Sequence, residues 1–271
     1  MRVAILLSVI LLSAPGTVAD ASPMENSYEG NPIVVINITY GSGIGGGDEF
    51  QGEIVLELFL NWAPITVTNF VDLVNQSFFD GIFFHRIIDD FVIQSGDPTC
   101  KTIIEYPLTN PLCGDGGSEE TIPFEANGNL THINGAIGMA RGADPDSATS
   151  QFYICDEPQH GLDNGNRTFE GDPGYAVFGV VREGMELVQA AAAVPTTNNL
   201  DGGDELVPRV GTGLGDRPIY EVHINSITIR EYVSAPDKEK TGEEGLSGLS
   251  LGISALSIIL TAIALSRKMN S

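Results

Sequence analysis

The chain has 271 residues, with 36 acidic side chains against 13 basic ones and a formal net charge of −23 at pH 7. A chain this acidic has no basic surface that could follow a phosphate backbone, which argues against nucleic-acid binding. The length allows one large domain or two small ones.

The first residues have the order of a secretory signal peptide. Met1 and Arg2 precede an apolar run over residues 3–12, and Pro15 and the small residues 19–21 follow. A basic start, an apolar core and a small-residue cleavage site are typical of such a signal. We therefore predict a signal peptide over residues 1–21, with a buried first strand as the alternative.

A strand hairpin is predicted next, because residues 33–40 and 53–59 alternate apolar and polar side chains. The loop between them reads GSGIGGG and formally contains the G-x-G-x-x-G pattern of dinucleotide sites. That pattern requires a helix to begin after the glycines. A strand follows here instead, so we reject a dinucleotide site.

Two helices and several more strands follow along the chain. Residues 63–75 are predicted to be helical, because Pro64 suits a first turn and an apolar stripe follows it. A second short helix is predicted over residues 184–193. Further strands are predicted within 82–93, 133–140, 151–156, 175–181 and 219–232. Many strands with few helices indicate a β-barrel or a sandwich.

Residues 84–98, FHRIIDDFVIQSGDP, place long polar side chains among apolar ones. If the two aspartates form the turn of a hairpin, Arg86, Ile88, Val92 and Gln94 share one strand face, because alternate residues point the same way. A fixed guanidinium beside an apolar pocket suits a ligand with a polar amide and an apolar ring. The alternative is an ordinary buried arginine ion pair within a hairpin.

Residues 138–154, GMARGADPDSATSQFYI, form a second informative stretch. With these two stretches the chain resembles the cyclophilins, the peptidyl-prolyl cis/trans isomerases, in a prokaryotic-like form. Other matching segments, in the family's order, are GEIVLELF, APITVTNFVDLV, FDG and GYAVFGVV. The resemblance covers about residues 31–232 and implies a mainly β fold. That fold is a cyclophilin-like closed eight-stranded antiparallel β-barrel capped by two α-helices, here predicted for a domain at 22–233.

The resemblance implies isomerisation of X-Pro peptide bonds, whose barrier of about 18–20 kcal/mol comes from partial double-bond character. No bond breaks, so we expect neither a cofactor nor a metal. A site that fits the twisted amide lowers the barrier, and a cationic donor aimed at the prolyl nitrogen does so selectively. Arg86 matches the catalytic arginine of the family, and Gln94 matches the glutamine that orients it and the substrate carbonyl.

The other predicted site residues also follow from the resemblance. Those that match the proline-ring pocket are Phe91, Val92, Tyr153 and Leu162, and those that match the peptide-binding groove are Ala140, Arg141 and Gln151. The expected partners are proline-containing polypeptides, and we expect a monomer. The alternative function is a non-catalytic proline-peptide-binding module or chaperone on the same barrel, although such a module has no need of both Arg86 and Gln94.

Some positions depart from the family pattern. Val92 stands where methionine is common, and Tyr153 replaces a phenylalanine, so we expect its hydroxyl at the pocket rim. The aromatic that the family has before Leu162 falls near His160, which predicts weak cyclosporin binding. Residues 164–174 insert a loop beside the groove. We interpret His85, next to the arginine, as a core residue.

The three cysteines fit an exported protein. Cys100 and Cys113 flank an insertion where cyclophilins have a short glycine-rich loop, and exported thiols so placed tend to pair. We predict that these two form a disulfide. Cys155, within a strand, is predicted to be a buried thiol. The histidines form no close-spaced ligand cluster with the cysteines, which argues against a redox or metal protein.

The C-terminal part predicts a membrane anchor. Residues 234–245 are polar and form a tether, and residues 246–265 carry no charge over a length that suits a bilayer core. Residues 266–271 contain Arg267 and Lys268, which favours a cytoplasmic tail. We therefore expect a single-pass cell-membrane protein with its catalytic domain outside the cytoplasm. Processing of the C-terminal segment is the alternative.

Overall fold

The computed structural model describes residues 22–41, 49–101, 113–198 and 216–234. The predicted signal peptide, the glycine-rich loop, nearly all of the tether, the predicted membrane span and the tail lie outside these residues. In the described part, no helix has the length and apolar character needed to span a membrane. The helices and strands in it are β1 Pro32–Tyr40, β2 Phe50–Leu58, α1 Pro64–Asn75, β3 Arg86–Ile88, β4 Val92–Ser95, β5 Ala136–Met139, β6 Phe152–Cys155, β7 Ala176–Glu183, α2 Met185–Ala192 and β8 Val222–Tyr232.

The eight described strands form one antiparallel sheet in the order β3-β4-β6-β5-β7-β2-β1-β8. The chain just before β3 bonds to β8 at the other end of that order. Phe84 N–H donates to the carbonyl of Val222 at 3.0 Å, and Gly81 N–H donates to that of Ile224 at 2.8 Å. The two edges therefore meet, and the predicted mainly β barrel with two helices is confirmed.

The interior of the barrel is filled by alternate residues of the strands, as the period of two in a pleated strand requires. Phe70 of α1 packs into this core, with ring centroids 5.0 Å from Phe79, 5.4 Å from Phe152 and 5.4 Å from Phe178. All four rings are fully or almost fully buried. Each such side chain contributes about 1.5–3 kcal/mol of transfer free energy, so burial of Phe70, together with Val67 and Val74, holds α1 to the barrel.

Helix α1 begins at Pro64, as predicted, but its first turn is satisfied from a distant loop. The preceding Ala63 has no side-chain oxygen to accept from the first N–H groups of the helix. Instead, the Glu125 carboxylate accepts from the N–H of Ile65 at 3.2 Å and of Thr66 at 2.9 Å. A negative charge at this end also complements the helix dipole.

Two predicted strands begin later than expected. The strand predicted from residue 133 begins at Ala136, because Gly135 has a φ of 76° and the Ala136 N–H closes a turn on Ile133. The strand predicted from residue 219 begins at Val222. Ile219 bonds to the carbonyl of Pro195 instead of to a neighbouring strand.

A buried carboxylate fastens the residues before β1 to the barrel. Glu57 of β2 is fully buried and accepts from Asn31 Nδ2 at 2.7 Å and from the Tyr28 N–H at 3.0 Å. Arg182 of β7 provides the opposite charge, with Nη2 at 2.8 Å. Burial of this charge is tolerated because it is both paired and hydrogen-bonded.

Candidate active site

The β3–β4 hairpin places the predicted catalytic pair side by side. Arg86 lies opposite Gln94, and Ile88 lies opposite Val92. Directly opposed residues of an antiparallel pair project from the same face, so the predicted shared face is confirmed. Asp90 in the connecting turn has a φ of 56°, a conformation that aspartate tolerates better than most residues. The hairpin therefore keeps the Arg86 and Gln94 side chains in register.

The guanidinium of Arg86 is oriented on three sides and remains open to solvent. Its Nη1 donates to Gln94 Oε1 at 3.4 Å, and its Nε lies 3.6 Å from Asp216 Oδ2. Its Cζ lies 5.7 Å from the ring centroid of Phe91. The side chain is 37% exposed. A half-exposed, oriented cation beside an aromatic ring fits a ligand-binding role better than the buried ion pair of the alternative interpretation.

Gln94 is held in turn by a relay of amides. Its Nε2 donates to Gln151 Oε1 at 2.9 Å. The Nε2 of Gln151 donates to the carbonyls of Gly114 at 3.0 Å and Gly116 at 2.6 Å. With Nε2 engaged in this way, Gln94 turns its carbonyl oxygen towards Arg86. The relay connects the arginine to the segment that follows Cys113.

A disulfide and a buried carboxylate fix that segment. Cys100 and Cys113 are bonded, as predicted, and Cys155 is a buried free thiol, also as predicted. Asp97, which is fully buried, accepts from the N–H of Gly114 at 2.6 Å and of Gly116 at 2.8 Å. Burial alone would raise the pKa of Asp97, but the hydrogen bonds from Thr99 and the two glycines outweigh it and lower the pKa. The carboxylate therefore stays ionised.

A groove of about 570 Å³ lies beside Gln94, which accepts a hydrogen bond from the arginine. Of the predicted site residues, Gln94, Ala140, Arg141 and Gln151 line it, together with the backbone-rich segment from Gly114 to Ser118 and with Ser147 and Thr149. The structure thus brings the predicted groove residues together next to the predicted catalytic pair. Their roles in binding a peptide stay a prediction.

The guanidinium of Arg141 is engaged by the inserted loop. Its Nη2 lies 2.5 Å from Asp172 Oδ1, its Nε donates to the carbonyl of Gly174 at 3.0 Å, and the side chain is 6% exposed. Its Cζ lies 4.7 Å from the ring centroid of Tyr175. The Arg141 guanidinium therefore holds the loop at 164–174 and is not left free to bind a peptide.

The predicted pocket residues lie on the β3–β4 hairpin, on the paired strand β6 and on a short turn after β6. Val92 is 2% exposed, and Tyr153 of β6 lies opposite Gln94. Leu162 ends a short 3-10 turn that precedes Asp163. Phe91 lies at the hairpin turn, beside Arg86.

The expectation of a tyrosine hydroxyl at the pocket rim is wrong. Tyr153 is only 5% exposed, and its hydroxyl lies 2.6 Å from Nε2 of the fully buried His132. Burial raises the pKa of the phenol well above its usual value, so the hydroxyl stays protonated. The hydroxyl therefore points into the protein and leaves only the ring for a pocket.

His132 continues into a chain of hydrogen bonds. Asp163 Oδ1 lies 2.6 Å from His132 Nδ1 and also accepts the His132 N–H at 2.7 Å. Asp163 Oδ2 lies 2.8 Å from Nδ1 of His160, whose side chain is 58% exposed. Burial lowers the pKa of His132, against the opposing hydrogen bond to Asp163, so this imidazole is neutral. This series of hydrogen bonds connects the predicted pocket with the surface at His160.

His85, next to the arginine in sequence, is a core residue, as predicted. It is 4% exposed, and burial lowers its pKa to about 4. A neutral imidazole at physiological pH does not add a second cation to the site. Isomerisation requires no proton transfer from it.

One group of carboxylates in the described residues has the spacing of a cation site. Oxygens of Asp89, Asp90 and Asp156 lie within 4.8 Å of one another at the β3–β4 turn. Acidic groups of this kind are common at protein surfaces without a bound ion, and we assign no metal to it.

Sequence reasoning missed three residues that orient the site. Asp216 contacts Arg86 and His132 contacts Tyr153 from distant parts of the chain, while Asp163, which follows Leu162 in sequence, contacts His132. None of them stands at a characteristic spacing from Arg86 or Tyr153, so no local pattern could have identified them. The family pattern offered one indirect sign, the tyrosine at 153, since a buried hydroxyl needs a partner.

Comparison with known proteins agrees with this geometry. The family described as cyclophilin type peptidyl-prolyl cis-trans isomerase/CLD matches residues 45–229. Peptidyl-prolyl cis-trans isomerase B of Escherichia coli is 33% identical over 185 residues, which cover 67% of this chain and 96% of that protein. Peptidyl-prolyl cis-trans isomerase A of Dickeya dadantii is 40% identical over 147 residues, or 54% of this chain and 70% of that protein.

A solved structure shows the same fold. The crystal structure of a Cryptosporidium parvum cyclophilin type peptidyl-prolyl cis-trans isomerase matches with a TM-score of 0.53 at 23% sequence identity. The match covers 75% of this chain and 99% of that one. The same family is indicated by the barrel fold, by the pairing of Arg86 with Gln94 and by the match to the family. This chain therefore belongs to the cyclophilin-type peptidyl-prolyl cis-trans isomerases and is a peptidyl-prolyl isomerase.

Proposed function

We propose that Arg86 is the catalytic residue of this isomerase. In the twisted amide the prolyl nitrogen becomes pyramidal and regains its lone pair, which a cationic donor stabilises. In the planar ground states this lone pair is delocalised into the carbonyl group, so the donor acts selectively on the transition state. The observation that carries the proposal is the Arg86 guanidinium itself, 37% exposed and oriented by Gln94 and Asp216.

Gln94 orients the guanidinium and the substrate carbonyl. Its amide nitrogen donates to Gln151, which leaves the carbonyl oxygen for Arg86. The proline ring occupies the apolar surface beside this pair, formed by Phe91, Val92, Tyr153 and Leu162. The groove beside Ala140 and Gln151 takes the neighbouring peptide.

A non-catalytic binding module on the same barrel would need the apolar pocket but not an oriented cation. The relay that fixes Gln94 through Gln151 to two backbone carbonyls is a demanding arrangement for a residue without a catalytic task. This supports catalysis over simple binding.

The test is a protease-coupled isomerisation assay on an Ala-Pro peptide. We expect Arg86→Ala to lower kcat/KM at least ~100-fold, about 2.7 kcal/mol, which is the usual effect of losing one transition-state donor. Arg230→Ala is the matched control, because Arg230 has a similar exposure of 40% and pairs with Glu53 far from the hairpin. Near-native turnover of Arg86→Ala with an intact fold would refute the assignment.

We further propose that the substrates are exported proteins, folded at the outer face of the cell membrane. The support is the predicted signal peptide at 1–21, the uncharged segment at 246–265 and the bonded Cys100 and Cys113. Disulfides persist mainly in oxidising compartments.

Protease added to intact cells tests this location. If the barrel lies outside and is anchored by residues 246–265, cleavage within the tether at 234–245 releases the barrel and leaves a short stub in the membrane. Full protection until the cells are lysed would show that the isomerase faces the cytoplasm. Release of the barrel without a stub would show that the C-terminal segment had been processed.

A further inference from the structure

The ring of Tyr153 lies against a position that has no side chain. A Cβ atom placed on Gly138, the residue opposite Tyr153 in β5, would lie 2.3 Å from Tyr153 Cζ and 2.4 Å from its hydroxyl oxygen. Both distances are far below any normal contact, and the buried ring has no flexible end that could move aside. Glycine at 138 therefore permits the ring to lie across β5 towards His132.

The hydrogen bonds of His132 define its tautomer. Asp163 Oδ1 accepts from the backbone N–H of His132 and lies 2.6 Å from Nδ1, so the carboxylate requires a proton on Nδ1. Nε2 then carries the lone pair and accepts the proton of the Tyr153 hydroxyl at 2.6 Å. The imidazole and phenol planes differ by 11°, which suits this in-plane bond.

The protonation of each group agrees with this assignment. Burial lowers the pKa of His132 and raises that of Tyr153, so both are neutral near pH 7. Burial would raise the pKa of Asp163, but hydrogen bonds from His132 and His160 outweigh it and keep the carboxylate ionised. Each hydrogen bond from Tyr153 through His132 to Asp163 therefore has one donor and one acceptor.

We propose that His132 is a positioning residue for the proline pocket: it fixes the Tyr153 ring through the hydroxyl and so sets the affinity for proline-containing peptides. A phenylalanine ring would be placed by packing alone, whereas this ring is tied at its far end. The inference rests on the proposed pocket of Val92, Tyr153 and Leu162. It adds a residue that touches no substrate and acts only through Tyr153.

Two substitutions of His132 separate its two hydrogen bonds. The amide nitrogen of His132→Asn takes the place of Nδ1 and can still donate to Asp163, but it does not reach Tyr153. The amide oxygen of His132→Gln takes the place of Nε2 and can still accept from Tyr153. The measurements are kcat, KM and Tm with an Ala-Pro peptide.

We expect His132→Asn to raise KM roughly 5-fold with little change in kcat, since one hydrogen bond that fixes a binding wall is lost. His132→Gln should stay within about 2-fold of wild type, because it keeps that bond. Tyr153→Phe, which leaves the imidazole in place, should raise KM about as much as His132→Asn, and the two together should not be additive. Tyr153→Phe also tests the bond if His132→Asn fails to fold.

Asn31→Ala is the control for a general loss of stability, because it removes a buried hydrogen bond to Glu57 on another part of the barrel. It should lower Tm and leave KM unchanged. Equal KM increases for Asn31→Ala and His132→Asn would overturn the proposal. So would unchanged KM for Tyr153→Phe, or an imidazole found by ¹⁵N NMR to carry its proton on Nε2.

The pocket itself is tested separately by Val92→Ala and Leu162→Ala. If neither substitution changes KM, the proline pocket lies elsewhere, and the positioning role fails with it. If both raise KM while Tyr153→Phe and His132→Asn do not, the pocket stands and only the role of His132 is refuted.

Discussion

The Asp216 carboxylate lies 3.6 Å from Nε of Arg86, while Nη1 of the same guanidinium contacts Gln94. Asp216 is fixed in turn, because its backbone carbonyl accepts the N–H of Ile87 at 2.7 Å. The loop before β8 and strand β3 are therefore joined beside Arg86, the proposed catalytic residue. The carboxylate orients the guanidinium and also offsets part of its positive charge.

We predict that Asp216→Asn lowers kcat/KM by only about 3-fold, because an ion pair between half-exposed groups contributes little. The asparagine oxygen can still contact Nε, so most of the orientation is kept. The assay used for Arg86→Ala measures it, with salt as a second variable. If salt lowers the activity of the wild type but not that of Asp216→Asn, the charge of Asp216 contributes to activity. If Asp216→Asn lowers kcat/KM nearly as much as Arg86→Ala, the minor role of Asp216 is contradicted.

The disulfide is predicted to support catalysis as well as stability. Bonding of Cys100 to Cys113 closes a loop of 13 residues in sequence separation. On the chain-entropy model such a loop contributes roughly 3 kcal/mol to the free energy of unfolding. Gly114, next to Cys113, accepts a hydrogen bond from Gln151, which holds Gln94. Loss of the disulfide should therefore loosen the amide relay.

We expect the double variant Cys100→Ser/Cys113→Ser to unfold at lower temperature and to have a several-fold lower kcat/KM. Reduction of the wild type should reproduce both effects. The double variant treated with reductant is the control and should not change further, because its one remaining cysteine, Cys155, is already a free thiol. A lower Tm with unchanged kcat/KM would show that the relay does not depend on the disulfide.

The inserted loop at 164–174 is predicted to depend on one carboxylate. Asp172 pairs with Arg141 at 2.5 Å and with Arg167 at 2.8 Å. The hydrogen bond from Arg167, with those from Gly174 and Arg141, lowers the pKa of Asp172 to about 2. A lowered carboxylate pKa means that the contacts stabilise above the unfolded pKa and are lost only as pH falls towards 2.

We expect Asp172→Asn to release Arg167, so that trypsin cuts the folded protein after this residue much faster than in the wild type. Tm should change little, because the loop lies outside the core. Glu170→Gln, an exposed residue of the same loop, is the matched control. Equal cleavage rates in wild type and Asp172→Asn at neutral pH would show that other contacts hold the loop.

Local patterns were sufficient for most of the fold and for the hairpin that carries the site. The alternation of apolar and polar residues in 33–40 predicted the first strand, and the turn at Asp89 and Asp90 predicted the faces of the β3–β4 hairpin. Each of these signals spans only a few residues of the sequence. The start of β8 was misplaced, since Ile219 bonds to Pro195 across a loop that no local pattern describes. Long-range partners are the part that a single sequence does not contain.

The buried end of Tyr153 illustrates the same limit within the site. From sequence, a tyrosine in place of phenylalanine predicted a hydroxyl at the rim. The structure turns it inward, because Gly138 leaves room beneath the ring and His132 offers an acceptor. Each of these residues has an ordinary role when considered alone, and the hydroxyl position follows only from the three together.

A pH-dependent effect on stability is predicted for Asp156, at the end of β6. The residue is 4% exposed, and its Oδ2 accepts the Asp90 N–H at 3.1 Å. Its buried Oδ1 has no hydrogen-bond partner among the described residues. Burial raises the pKa of this carboxyl, and the acidic neighbours Asp89, Glu157 and Asp90 raise it further. The ionised form is therefore less favourable in the folded protein than in the unfolded chain.

Asp156→Asn should accordingly raise Tm at neutral pH by a few degrees. An acid with a raised folded pKa binds more protons when folded, so its ionisation destabilises the protein as pH rises above the unfolded pKa. The increase in Tm caused by the substitution should be largest above the pKa of Asp156 in the folded protein. It should vanish near pH 4, where the carboxyl of the unfolded chain is itself becoming protonated. The asparagine oxygen can still accept from the Asp90 N–H, so no contact is lost.

Asp72→Asn on the exposed face of α1 is the control for net charge, because it removes one negative charge from this very acidic chain without touching the turn. Thermal unfolding of both variants across pH 4–8 separates the local effect from the general one. If Asp72→Asn stabilises as much as Asp156→Asn, the gain comes from lower overall repulsion. If Asp156→Asn instead lowers Tm at pH 7, its carboxylate has a stabilising partner and the raised pKa is wrong.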